Sequence, residues 1–261
     1  MVDQPADPRI DPQWIPHRVD LEANEFEFVH WTRDRQRAAT FLTQEYMEPG
    51  QGRLRVAANP AGSPGAARSG PLHFVFHSAF CGSTLLARML DIPGSAMALK
   101  EPAILDDLAG LRRRGVPWDR LAPMLVATLD WLSRPLVEGE VTVAKPGNRV
   151  NVLIADMLDQ RPGSRALFMY STLPDFLRSV AKRGLWGRRW ARGLYMALAP
   201  DASVDPGFDQ HEVMQQTDLQ IAASAWLMHQ AQFAMLLHRF GPARVRSLDA
   251  QTLMARPGPT L

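Results

Sequence analysis

At 261 residues, 46% of them hydrophobic, the chain can bury the core of one large α/β domain, alone or with an appendage. A formal charge of +2 and a pI of about 9.0 are too mild to argue for nucleic acid, and no apolar run long enough for a transmembrane helix exists. One cysteine excludes an internal disulfide framework and a multi-cysteine zinc site, and it fits a reducing cytoplasm.

The opening residues MVDQPADPRIDPQW are acidic and proline-rich and lack the basic and apolar regions of a signal peptide, so no leader is expected. Residues 1–20 read as irregular. Over 25–47, Phe28, Trp31, Ala38, Phe41, Leu42 and Tyr46 fall near helical spacing, which predicts an amphipathic helix. Residues 49–71 are rich in Gly, Pro, Ala and Ser and predict a linker or mobile loop, with a short strand at 54–57. Residues 1–71 are therefore expected to form an N-terminal extension with one helix and a flexible linker, and 72–261 an α/β domain.

From Leu72 on, strands and helices alternate. Strands are predicted at 72–77, 95–99, 141–144, 165–170 and 243–248. Helices are predicted at 82–91, 103–113, 117–133, 149–159, 173–182 and 213–239, with a Trp/Arg-rich segment at 184–195 and a loop at 200–210. This order argues for a three-layer fold, a parallel sheet with helices on both faces. There is no internal repeat. The chain stops soon after the last predicted strand, so a missing C-terminal helix is an expectation of this reading.

The stretch from Phe74 to Leu90 is the most informative. It reads as a buried strand, a tight loop with one glycine and small hydroxyl residues, and an amphipathic helix. That order aims backbone N–H groups at one point and binds anions, usually phosphate. It departs from G-x-x-x-x-G-K-[ST]: His77 stands at the first glycine, Gly82 fits the second, Ser83 replaces the lysine and Thr84 keeps the hydroxyl. Without the lysine, ordinary ATP or GTP hydrolysis is not expected. The spacing from Cys81 to Arg88 is one residue too long for a cysteine-phosphatase loop.

Other candidates lie at predicted strand ends, where ligands of such folds bind. Glu101 can accept the proton of an acceptor hydroxyl, with Lys100 or Lys145 neutralising charge on a leaving phosphate; the bland alternative for Lys100-Glu101 is a solvated pair before a proline turn. His77 is a general base by side-chain type or a satisfied strand-end histidine. Cys81 is a reactive thiol at a helix N-terminus or simply a small residue. Lys145, Asn148, Arg149 and Asn151 hold a ligand or cap a helix. Arg88 reads as a surface salt bridge. Trp186, Arg188, Arg189, Trp190 and Arg192 interleave aromatics with cations, which suits an anionic acceptor, a nucleotide base, a partner or a mobile surface segment. Trp226, Met228, Phe233, Met235 and Leu236 read as core.

Together these residues resemble the PAPS-dependent sulfotransferase superfamily, which has a P-loop-type fold. Residues 80–86, FCGSTLL, match its first loop from Gly82 onward. Glu101-Pro102 resembles the E-P pair of many carbohydrate-type members, and Lys145-Pro146 their K-P element. Residues 166–170 with 175–179 are similar to the strand and the element that binds the nucleotide 3′-phosphate, and 243–257 to a late strand and its following segment. The resemblance covers roughly 72–257. It implies PAPS as donor and PAP as product, held by Cys81, Gly82, Ser83, Thr84, Leu85, Ser171 and Ser179. It implies catalysis by Glu101, His77 and Lys145 without a metal, and a small-molecule or carbohydrate acceptor. No nucleic-acid partner and no membrane span are expected, and a homo-oligomer is left open.

Two positions depart from the pattern. The loop's basic residue is Phe80 here, and the arginine of the 3′-phosphate element is Ser171, whereas its serine survives as Ser179. Losing two charge-assisted contacts costs on the order of 100-fold or more in affinity, unless Arg178, Lys182, Arg183 or Lys145 compensates. The alternatives are a nucleotide-dependent kinase, with Thr84 as a Mg²⁺ ligand, and a non-catalytic binding protein. Acceptor specificity is expected in the segments 103–135 and 184–212.

Overall fold

The computed structural model describes residues 7–58 and 69–260, with the side chains of the last two left aside; the central part of the expected linker, 59–68, lies outside the described residues. The chain begins with strand β1 (Trp14–Asp20), strand β2 (Glu25–His30), the short helix α1 (Arg33–Ala38) and strand β3 (Arg53–Ala57). There follow β4 (Leu72–His77), α2 (Ser83–Met89), β5 (Ala96–Lys100), α3 (Ala103–Arg113), α4 (Trp118–Leu132), β6 (Val141–Lys145) and α5 (Ile154–Gln160). The remainder is β7 (Ala166–Tyr170), α6 (Leu173–Lys182), α7 (Gly184–Leu198), α8 (Gln210–Gln215), α9 (Asp218–Phe240), β8 (Val245–Asp249), α10 (Ala250–Ala255) and α11 (Pro257–Thr260).

The expected α/β class is observed. Five strands form a parallel sheet in the order β5-β6-β4-β7-β8, flanked by helices. The buried strands are short and apolar because both faces of a parallel sheet are covered: Phe74, Val75 and Phe76 in β4, and Phe168 and Met169 in β7, are each almost fully buried. The order reverses at β4, since the chain leaves it for β5 on one side and later returns to β7 on the other.

The described residues divide into two compact units, Met1–Val75 with Thr84–Ser164, and Phe76–Ser83 with Arg165–Leu261. The first unit contains a three-stranded antiparallel sheet, β1-β2-β3. Here the sequence expectations need correction. Residues 1–20 are not irregular throughout, because β1 occupies the end of that stretch, and 25–47 is not one helix but β2 followed by α1 and a single 3-10 turn. Phe26 and Phe28 alternate with Glu25 and Glu27, and this two-residue period puts both phenylalanines edge-on against Trp131, at 4.8 and 5.0 Å between ring centroids. The short strand expected at 54–57 is present as β3, in register with β2.

Smaller corrections concern the helices. The helix expected at 149–159 starts as a 3-10 turn, Asn148–Leu153, before α5. The helix expected at 213–239 is two, α8 and α9, each opened by a capping box, at Asp209 and at Thr217. Met235, expected in the core, is 48% exposed, whereas Met228, Phe233 and Leu236 are buried. The last strand is followed by α10, capped by Asp249. No described helix is long and apolar enough to cross a membrane.

Candidate functional site

In the second unit the polypeptide leaves β4 through Ser78–Gly82 before α2 begins. Three loop residues adopt left-handed backbone: Ala79 (φ 76°), Phe80 (φ 51°) and Gly82 (φ 77°). Only glycine enters that region without penalty, so two non-glycine residues held there mark a conformation that the surroundings impose. The loop is anchored on β7: Ser78 N–H and the Cys81 thiol both donate to the Met169 carbonyl, at 3.0 and 3.5 Å. His77 Nδ1 accepts the Ala79 N–H at 3.1 Å, which places the proton of the neutral ring on Nε2 and engages the histidine in shaping the loop. Cys81 is buried. Ser83 is buried too, Thr84 is partly exposed, and the Leu85 side chain points outward at 44% exposure.

The end of β7 supplies the neighbouring polar residues. Ser171 is buried, and its carbonyl accepts the Trp226 indole N–H at 2.9 Å. The hydroxyls of Ser171 and Ser78 are both buried and find no hydrogen-bond partner among the described residues. A buried hydroxyl left unpaired costs about 1–3 kcal/mol, so a polar ligand reaching these two atoms would be stabilised by them. Next, Thr172 caps α6, and its hydroxyl bonds the Asp175 carboxylate at 2.9 Å. The Gln251 amide and the Thr172 hydroxyl hold that carboxyl below its ordinary pKa. Arg178 pairs with Asp175, and half-buried Ser179 gives its carbonyl to Arg183 at 2.7 Å.

The Trp/Arg-rich segment is the helix α7. It buries Leu194, Tyr195 and Leu198 against Ile221, Ala225 and Met228 of α9. Trp186 is 59% exposed and stacks on Trp190, while Arg192 is bound to Asp218 and the Gln216 carbonyl. Trp190 in turn lies 4.7 Å from the ring of Phe80.

The first unit carries the second cluster. β5 and β6 pair so that Lys100 and Lys145 stand opposite each other. Glu101 follows with φ 51°, and its N–H donates to the Lys145 carbonyl at 2.7 Å. This left-handed turn brings the Glu101 carboxylate onto the Lys145 ammonium, and Lys145 is 1% exposed. The same ammonium lies 5.1 Å above the Phe41 ring. Lys100 does not join the pair: its ammonium donates to the Arg37 carbonyl at 2.9 Å, and burial first, then the charge of Arg88, lowers its pKa to about 8. Asp106 faces Gly147 so closely that a Cβ there would meet the carboxylate at 3.2 Å. Burial, then the Glu101 charge, raises the Asp106 pKa to about 6. Asn148 and Asn151 are buried in the 3-10 turn, and Arg149 is exposed.

Sequence reasoning named Glu101 and Lys145 separately but not their pairing. It passed over Ser78 and Asp106, for which an unpaired buried hydroxyl and a carboxylate packed on a glycine are signals of structure, not of sequence.

No family model and no curated protein matches the chain. Among solved structures the chain is similar to a sulfotransferase domain from the curacin biosynthetic pathway, at 14% identity over 73% of this chain and 70% of that one, with a TM-score of 0.44.

Proposed function

We propose that this protein is a cytoplasmic sulfotransferase that moves a sulfuryl group from PAPS to the hydroxyl or amine of a small-molecule or carbohydrate acceptor. The observation that carries the reading is the loop after β4, anchored on β7 and held in left-handed backbone, together with the buried hydroxyls of Ser78 within it and of Ser171 at the end of β7, which find no partner among the described residues. These features suit an anion cradle.

The residues present fit such a donor. Gly82, Ser83 and Thr84 would take its 5′-phosphate, with Cys81 and Leu85 supplying backbone, and Ser171 and Ser179 its 3′-phosphate. A side chain at 82 would be strained at φ 77° and would press on the Met254 methyl at 3.2 Å. When bound, PAPS supplies a sulfuryl group whose bond to the 5′-phosphate breaks, the electron pair leaving on the phosphate, as the acceptor oxygen or nitrogen bonds to sulfur.

Glu101 accepts the acceptor's proton in this reading. Lys145 fixes the carboxylate and balances its charge from inside the first unit. Lys100 is assigned a structural role, because its ammonium is already spent on a backbone carbonyl. His77 shapes the loop through Ala79 and leaves proton transfer to Glu101.

The test is a thermal-shift comparison of PAP, PAPS, ATP–Mg²⁺ and buffer at matched ionic strength, on the wild type and on Gly82→Trp. The reading predicts stabilisation by PAP and PAPS that the variant loses. Stabilisation by ATP–Mg²⁺ in place of PAP would favour a kinase, and no response to any of them would leave a non-catalytic binding protein.

A further inference from the structure

The loop has lost its own cation, since Phe80 stands where the resemblance calls for a basic residue. We infer that Arg183 replaces it, carried over the loop on the face of the Phe80 ring. The inference rests on the donor reading above and names the residue that makes the site work in this chain.

Four cations were open as substitutes, and the contacts separate them. Arg178 is bound to Asp175, and Lys145 is buried on Glu101. Lys182 is exposed at the end of α6. Arg183 alone of the four reaches a loop residue: its guanidinium carbon lies 4.0 Å from the centroid of the Phe80 ring. A planar guanidinium stacks well on an aromatic face and keeps its edge donors available for phosphate, which an ammonium does less well.

The arrangement is held from both sides. One Arg183 nitrogen donates to the Ser179 carbonyl at 2.7 Å, and this single bond leaves most of the five guanidinium donors for a ligand. The residue carrying that carbonyl belongs to the element expected to meet the 3′-phosphate. Beneath, the Phe80 ring packs 4.7 Å from Trp190 and 5.9 Å from Phe176, so the platform is itself supported. Gly187 permits the close turn from α6 to α7: a Cβ there would lie 2.3 Å from the Val180 carbonyl and 2.9 Å from the Arg183 Cβ. Phe80 and Arg183 thus divide between two residues the work of one basic side chain.

The experiment is calorimetric titration with PAP at fixed ionic strength of the wild type, Arg183→Ala, Arg183→Lys and the double variant Phe80→Arg with Arg183→Ala. Losing one charge-assisted phosphate contact corresponds to about 10- to 100-fold weaker binding. That loss is expected for Arg183→Ala, a smaller one for Arg183→Lys, and recovery to near wild-type affinity for the double variant. The slope of log Kd against log salt is expected to fall for Arg183→Ala and to return in the double variant. Because Arg183 is exposed, its variants are expected to keep the wild-type Tm, which separates lost binding from lost folding. Unchanged PAP affinity and salt slope in Arg183→Ala would overturn the inference alone. No PAP binding by the wild type would remove the donor reading, and the inference with it.

Discussion

The two polar clusters differ in how they handle charge. In the first unit the cation is inside: Lys145 is 1% exposed and is paired with Glu101. In the second unit the cations Arg178, Lys182 and Arg183 stay on the surface, and the buried hydroxyls of Ser78 and Ser171 are uncharged and find no partner among the described residues. The first arrangement is suited to holding one carboxylate in one place. The second is suited to receiving charge from outside, because an unmet hydroxyl stabilises nothing until a ligand arrives.

Mutation should therefore affect the two clusters with opposite sign. The largest effect is expected for Lys145→Met, which removes the buried ammonium that pairs with the Glu101 carboxylate. Breaking a largely buried pair costs up to about 3 kcal/mol here, after allowing for the 20% exposure of the Glu101 side chain. Urea unfolding should show that loss, with much of it recovered in Lys145→Met combined with Glu101→Gln, and sulfuryl transfer should fall at least about 100-fold. A Lys145→Met protein as stable as the wild type would show that the buried pair does not stabilise the first unit.

Ser78→Ala and Ser171→Ala should do the reverse. Removing a buried hydroxyl that has no partner is expected to stabilise the ligand-free protein by about 1 kcal/mol each, while PAP binds less tightly. Calorimetry and unfolding on the same samples check both signs. Destabilisation together with unchanged PAP affinity would mean that the hydroxyls serve packing.

The pH dependence offers a finer division. His229, in the second unit, is fully buried, and burial holds its pKa down to about 3. The folded state resists its protonation, so its contribution to stability is complete above the unfolded value near 6.5 and is lost as pH falls towards 3. The limiting slope is about 1.4 kcal/mol per pH unit. His229→Gln should flatten that acid limb. Asp106, in the first unit, has its pKa raised to about 6. Its ionisation opposes folding, so that cost is absent below the unfolded value near 3.8, grows as pH rises and is complete above about 6. Asp106→Asn should therefore raise the Tm by a few degrees at pH 7.5 and by much less at pH 4.5, an effect smaller than that of His229 because Asp106 is only partly buried.

The contrast also shows what a sequence can carry. The parallel strands from Leu72 to Tyr170 were legible because short buried apolar runs between turn residues announce themselves locally. Helical spacing misleads over 25–47 because that window holds a strand, one short helix and a 3-10 turn. The alternation Glu25-Phe26-Glu27-Phe28 was the signal that should have prevailed. Gly82 and its loop were visible as a pattern, and so was the absence of a lysine. The seat of Arg183 on Phe80 was not visible, because it joins residues about a hundred positions apart through the geometry of the α6–α7 turn. The Glu101–Lys145 pair depends on the β5–β6 register and on one left-handed residue, neither of which is written in local composition.

The most direct test of the donor site is a titration of isotopically labelled protein with PAP, followed through the backbone amide resonances. The account predicts saturable shifts concentrated at residues 78–84 and around Ser171 and Ser179, with the Gly82 amide among the largest, and no requirement for Mg²⁺. Shifts confined to other parts of the chain, or none at millimolar PAP, would contradict it.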